Sequence, residues 1–117
     1  MNSTYISTNE LLPAPTLAPS KNNVIDYYQD TAGDGVSLTI KPYKGIAKGQ
    51  QIRSWVIGDG TLYAPLTVDD INKNYIHKVP APLFRKDKVQ VKFEVYEGQE
   101  LLFVSKTGEY TVVGYLP

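Results

Sequence analysis

Alternation of apolar and polar residues is what most limits the folds open to this chain. Val36-Ser37-Leu38-Thr39-Ile40 alternates cleanly, and Val89-Gln90-Val91-Lys92-Phe93-Glu94-Val95 does so over a longer stretch. A two-residue period sends successive side chains to opposite faces of a strand, so each run has one face to bury and one to wet. Between Val36 and Val113 such runs recur about every ten residues, punctuated by Gly, Pro and Asp. Short strands at that spacing predict an all-β chain folded as a two-layer antiparallel sandwich.

Composition narrows the reading further. The chain has 117 residues, enough for a single domain and too few for a second core. Its 42% hydrophobic and 21% charged content is ordinary for a folded domain, which argues against disorder. Twelve Lys and Arg balance twelve Asp and Glu, so no net field draws the chain to nucleic acid or to an anionic membrane. With no cysteine there can be no disulfide, thiolate nucleophile or cysteine-bound metal. Met1 to Glu10 lacks the basic-then-apolar order of a secretory signal, and no apolar run reaches the ~20 residues that span a bilayer. The expectation is a soluble chain, cytoplasmic as encoded or exported by a route that needs no such signal. Nine Tyr against three Phe and one Trp suit strands and also wet contact surfaces.

Along the chain, residues 1–10 read as a flexible leader and residues 11–117 as the sandwich. Pro13, Pro15 and Pro19 restrict Leu11 to Pro19 to an edge strand or an extended segment, because proline has no N–H to give a central ladder. Lys21 to Gly35 reads as a loop, with Val24, Ile25 and Tyr27 as candidates to tuck against the core. The next strand, Gln50 to Ile57, sets Ile52, Ser54 and Val56 against Arg53, Trp55 and Ile57; bulk on both sides predicts a central strand. Gly58-Asp59-Gly60 is hairpin chemistry leading into Thr61 to Val68. Asp69 to Asn74 suggests one helical turn capped by Asp69. Tyr75 to Val79 is a short strand ended by Pro80 and Pro82, and Leu83-Phe84 is placed to plug one end of the sandwich. Val89 to Tyr96, Glu100 to Ser105 and Glu109 to Val113 complete the strands. The prediction is an immunoglobulin-like antiparallel β-sandwich of seven to eight strands without a helix.

Particular strings support a resemblance. Leu12-Pro13-Ala14-Pro15, then Pro42-Tyr43-Lys44-Gly45-Ile46-Ala47-Lys48-Gly49-Gln50-Gln51-Ile52, and later Val79-Pro80 through Leu83-Phe84 to Val89-Gln90-Val91-Lys92-Phe93, carry it. They resemble the bacterial immunoglobulin-like repeats found in tandem in Pseudomonas-type surface and secreted proteins. The resemblance runs from about Leu11 to Val113, with Trp55 one position off the repeat's register. It implies a structural spacer or adhesive module, with no catalytic residue to carry over.

Candidate chemistry is thin. Asp30-Thr31-Ala32-Gly33 approaches the Asp-Thr-Gly of aspartic proteases, but alanine stands where the glycine is needed and turn chemistry accounts for the string. Asp30, Asp34, Asp59, Asp69 and Asp70 lie in turns that favour Asp for their own geometry, without calcium-loop spacing. His77, the single histidine, has no nucleophile motif or ligand spacing beside it and is expected to point outward from its strand. Neither a catalytic residue, a metal site nor a cofactor is predicted.

What remains is surface. The turn Arg85-Lys86-Asp87-Lys88, with Lys78 and Lys92 as candidate neighbours, is the main basic cluster. Tyr27, Tyr28, Trp55, Tyr63, Tyr75 and Tyr115 are aromatics that could anchor a partner. Trp55 is expected as a core anchor, with surface contact as the other reading. Tyr27-Tyr28 is expected to be an exposed pair, since neighbours in a polar loop are costly to bury together. The binding candidates are therefore Tyr27, Tyr28, Trp55, Tyr63, Arg85 and Lys86. The expected role is a non-catalytic module that binds a protein, as an adaptor, inhibitor or accessory subunit; a carbohydrate-binding or adhesive module is the alternative.

Overall fold

A computed structural model describes residues 11–115; the leader expected at 1–10 lies outside the described residues. The chain is mostly β, a single small domain with two sheets. The described residues form nine strands: β1 (Thr16–Ala18), β2 (Val24–Asp26), β3 (Val36–Ile40), β4 (Gln51–Gly58), β5 (Gly60–Thr67), β6 (Tyr75–Val79), β7 (Lys88–Glu97), β8 (Glu100–Val104) and β9 (Gly108–Val113). The smaller sheet has the order β1-β3-β6 and the larger the order β2-β9-β7-β4-β5, with β8 also pairing β7.

The alternation read from the sequence is what holds the layers together. In β3, Val36, Leu38 and Ile40 are buried; in β4, Ile52, Ser54 and Val56; in β7, Val89, Val91, Phe93 and Val95. These faces meet in two apolar clusters stacked along the strands. One joins Leu17, Leu38 and Val79 of the small sheet to Val56, Val91 and Val112 of the large one. The other joins Ile40 and Tyr75 to Ile52, Phe93 and Val95. Each fully buried Val, Leu or Ile contributes about 1.5–3 kcal/mol relative to exposure, so these two clusters dominate the stability. A 3₁₀ turn, Ala81–Phe84, carries Phe84 into the first cluster, where it is wholly buried, and so supplies the plug expected of Leu83-Phe84.

Several expectations are corrected. Lys21 to Gly35 is not only loop: it holds β2 and one helical turn, α1 (Tyr27–Asp30), whose cap Asp26 accepts the Gln29 N–H at 3.2 Å. Strand β2 pairs parallel with β9, so the sandwich is not purely antiparallel, and the described residues hold nine strands. A three-residue strand is too short to show a period; its place comes from the pairing with β9, which leaves Ile25 wholly buried. Asp69 caps no helix; its carboxylate accepts from the Tyr75 hydroxyl at 2.7 Å and pairs with Lys73 at 3.1 Å. His77 lies on the inward face of β6, opposite Leu38 and flanked by buried Tyr75 and Val79, and its Nε2 is buried with no hydrogen-bond partner among the described residues. Register decides this: Tyr75 and Val79 must face the core, and a period of two takes His77 with them.

Residues 12–18 cross from the large sheet to the small one. Leu12 bonds to the large-sheet stretch around Ser105, donating to Val104 O at 3.0 Å and accepting from Lys106 N–H at 2.8 Å. Four residues later Thr16 begins β1 in the small sheet, opposite Thr39. The Pro13-to-Pro15 stretch therefore bridges the two sheets. At the other end of β1 the Ala18–Pro19 bond is cis, and β2 returns to the large sheet.

Candidate binding face on the large sheet

Because Ile52, Ser54 and Val56 point inward, Gln51, Arg53, Trp55 and Ile57 must stand on the outer face of β4. Its neighbours extend this face on both sides. Trp55 lies opposite Tyr63 of β5 and Lys92 of β7; Arg53 lies opposite Pro65 and Glu94; Gln51 lies opposite Thr67 and Tyr96. Directly paired side chains are about 4.5–5.5 Å apart at Cβ, so the register alone brings these groups together.

The side chains interlock. The Trp55 and Tyr63 rings have centroids 5.4 Å apart and are tilted by 38°. Lys92 Nζ lies 5.5 Å from the Trp55 ring. Diagonally across β4 and β7, the Arg53 guanidinium sits 3.9 Å from the Tyr96 ring centroid. Tyr96 donates its hydroxyl hydrogen to Glu94 at 2.8 Å, and that bond holds the phenol above its ordinary pKa. Tyr63, 48% exposed, forms the open edge. Trp, Tyr and Arg, here one Trp, two Tyr and an Arg on one wet surface, are the side chains that concentrate binding energy at protein interfaces.

Trp55 is thus not the core anchor expected. It stands on the outer face, partly exposed, while Val56 takes the core position next to it. The candidate residues fall into two groups. Trp55 and Tyr63 belong to the sheet face. At one end of the sandwich Arg85 Nε donates to the Tyr27 hydroxyl at 2.9 Å, and the Tyr28 ring meets Tyr27 edge-on at 5.0 Å. The exposed pair expected at Tyr27-Tyr28 is half right: Tyr28 is 56% exposed, but Tyr27 is 7% exposed and packs in the first apolar cluster. The helical turn explains the split, since adjacent residues on it point about 100° apart. Lys86 is exposed and makes no ion pair among the described residues. Lys78 and Lys92 do not join the basic turn; Lys78 Nζ donates to Asp34 O at 2.6 Å and Lys92 lies against Trp55. Tyr75 is buried as a bracket for the Asp69-Asp70 turn, and Tyr115 donates to Asp87 at 2.6 Å.

The sequence singles out neither Arg53, Glu94 nor Tyr96, and it offers Lys92 only as a neighbour of the basic turn. The outward positions of β4 and β7 could have been read from the period, but which of them meet depends on a register that only the folded pairing supplies. Among the described residues no three His, Asp or Glu side chains gather as metal ligands, and no helix is long and apolar enough to cross a membrane. Comparison with known proteins finds no matching family model, no similar curated protein and no similar solved structure.

Proposed function

We propose that the chain is an immunoglobulin-like sandwich serving as a protein-interaction module, and that it docks through the outer face of the large sheet around Trp55. The sheet pairing, with β3 and β6 in one layer and β7, β4 and β5 in the other, supports the immunoglobulin-like reading. The observation that carries the binding reading is the row Tyr63–Trp55–Lys92, with Arg53 against Tyr96 beside it.

The same geometry favours a protein over a sugar. Stacking on a pyranose needs an open, flat aromatic face, whereas Trp55 and Tyr63 are tilted by 38° and cations lie against Trp55 and Tyr96. What the face offers instead is ring edges, guanidinium and amide donors, and the Glu94 carboxylate, which suit the mixed chemistry of a protein surface.

Affinity capture from a lysate of source cells tests this, with wild type, Trp55→Ala and Arg53→Ala run in parallel. A protein held by wild type and lost with both variants, at unchanged melting temperature, supports the reading. Hot-spot truncations of this kind cost 2 kcal/mol or more, about thirty-fold in affinity. Capture that survives both substitutions, or glycan-array binding abolished by Trp55→Ala, would overturn it.

A further inference from the structure

A second feature lies away from the Trp55 face. Where residues 13–15 cross from one sheet to the other they lift off the end of β3 and leave a groove of about 400 Å³. One wall is residues 12–16, the other residues 39–44. Ile40, Tyr43 and Phe93, all buried in the second apolar cluster, form the groove's floor, and the accessible apolar surface comes from Pro13, Ala14 and Pro42. The size lies within the range of ligand sites, about 300–1,000 Å³.

Two properties specify what fits. First, both walls carry main-chain groups that no backbone hydrogen bond among the described residues uses: those of Ala14 on one side and of Lys41 on the other. Pairing of β1 with β3 ends at Thr16 opposite Thr39, so the β3 chain continues past its partner with that edge unpaired among the described residues. Pro13 and Pro15 cannot donate, which keeps the two walls from zipping onto each other. An extended backbone laid between them could take up these groups as an added strand does. Five residues of wall at ~3.3 Å each accommodate a segment of four or five residues. Second, among the described residues Lys41 and Lys44 are the only charged ones lining the groove, both are exposed, and neither forms an ion pair there. Their charge favours a carboxylate on the occupant.

We propose that this groove docks an extended peptide segment of a partner protein in which apolar residues alternate with Asp or Glu. Apolar side chains lie against Pro13, Ala14 and Pro42, carboxylates meet Lys41 and Lys44, and the main chain bonds to Ala14 and Lys41. The site shares no residue with the Trp55 face, so either can fail without the other.

The test is selection of a phage-displayed random heptapeptide library on the full chain, followed by titration of the best synthetic peptide into ¹⁵N-labelled protein. The expected result is enrichment of acidic–apolar sequences and the largest amide shifts at Ala14 and Lys41. Affinity falls at least ten-fold in Lys41→Glu/Lys44→Glu and is unchanged in Trp55→Ala. Circular dichroism confirms that the exposed lysine changes leave the fold intact. No enrichment over a protein-free control, selection of uncharged or basic sequences, or shifts centred on β4 and β5 would each overturn the proposal. So would a ten-fold gain in peptide affinity in Tyr5→Ser/Ile6→Ser, which would make the chain's own first residues the occupant.

Discussion

Gly58 closes β4 where the backbone of another segment passes directly over it. A Cβ built on Gly58 would collide with the Leu83 carbonyl oxygen and approach Val89 Cγ2 to 3.1 Å. The obstacle is mostly backbone and cannot swing aside as a flexible side chain would. It is also committed, because Leu83 O accepts the Asp59 N–H at 2.9 Å. Gly58→Ala must therefore push the 3₁₀ turn outward, stretching that bond and loosening Phe84, which is fully buried behind it. Overpacking costs about 1–3 kcal/mol and a weakened hydrogen bond about 0.5–1.5, so about 2–4 kcal/mol is expected in total. For 117 residues the unfolding entropy is about 0.25 kcal/mol/K, and the melting temperature should fall by about 8–16 °C. Gly60, two residues away, is the control: its φ is +101° and nothing lies within 4 Å of a Cβ there. Gly60→Ala carries only the conformational cost, about 1–2 kcal/mol. Urea unfolding followed by far-ultraviolet circular dichroism separates the two. If Gly58→Ala lies within about 0.5 kcal/mol of wild type, or costs no more than Gly60→Ala, the backbone-collision argument is wrong.

Other substitutions probe the remaining supports. Phe84→Ala should cost about 3–5 kcal/mol in urea unfolding, as a fully buried ring is replaced by a void. Gln50, 4% exposed, accepts from the Tyr43 hydroxyl at 2.7 Å and the Ala47 N–H at 3.1 Å and donates to Gly45 O at 3.0 Å. Gln50→Leu should therefore cost about 2–4 kcal/mol by leaving those groups unpaired, as read from the denaturation midpoint. Asp69 has a lowered pKa, chiefly because the Tyr75 hydroxyl bonds to it, with Lys73 adding to the effect. A depressed carboxylate stabilises the fold above its unfolded pKa of ~3.9 and loses that contribution as pH falls through the folded value. The gap in melting temperature between wild type and Asp69→Asn should therefore be full at pH 6 and shrink below about pH 4. Burial holds the Tyr43 phenol far above its usual pKa, with Tyr75 as a lesser cause. Stability from that group is present below the ordinary tyrosine pKa of ~10 and fades above it, so tyrosinate absorbance should show one phenol that ionises only with alkaline unfolding.

Strands β3 and β7 are legible because each alternates strictly, and alternation reports directly on which face is buried; β4 is legible as a strand but not in its buried face, since Arg53, Trp55 and Ile57 carry as much bulk as Ile52, Ser54 and Val56. Gly58-Asp59-Gly60 was legible because turn chemistry is local. The failures share a cause: they depend on partners distant in sequence. Nothing near Val24-Ile25-Asp26 announces a strand, because its reason to exist is Thr111 to Val113, to which it pairs in parallel. The sequence points His77 to the wrong face because a five-residue strand with Tyr75, Ile76 and Val79 has apolar residues on both faces; only pairing with buried Leu38 decides the matter. The same limit hid the binding face. Arg53 and Tyr96 are 43 positions apart and meet only because Gln51 pairs with Tyr96.

That limit also governs how the surface should be dissected. Sequence alone suggests changing Tyr27 and Tyr28 together, yet Tyr27 is a core residue whose hydroxyl holds Arg85, while Tyr28 is mostly solvent. Removing a buried aromatic costs about 3–5 kcal/mol, a large share of the 5–15 kcal/mol that holds a domain together. A binding defect in the double variant would then report unfolding as much as lost contact. Tyr28→Ala avoids this, and Trp55→Ala does so for a different reason: its loss uncovers Tyr63 and Lys92 on the wet side of the sheet and leaves Ile52, Ser54 and Val56 packed beneath. The period of two that built the sandwich thus separates stability from recognition residue by residue along β4, and loss of binding after an outward substitution there can be assigned to the surface itself.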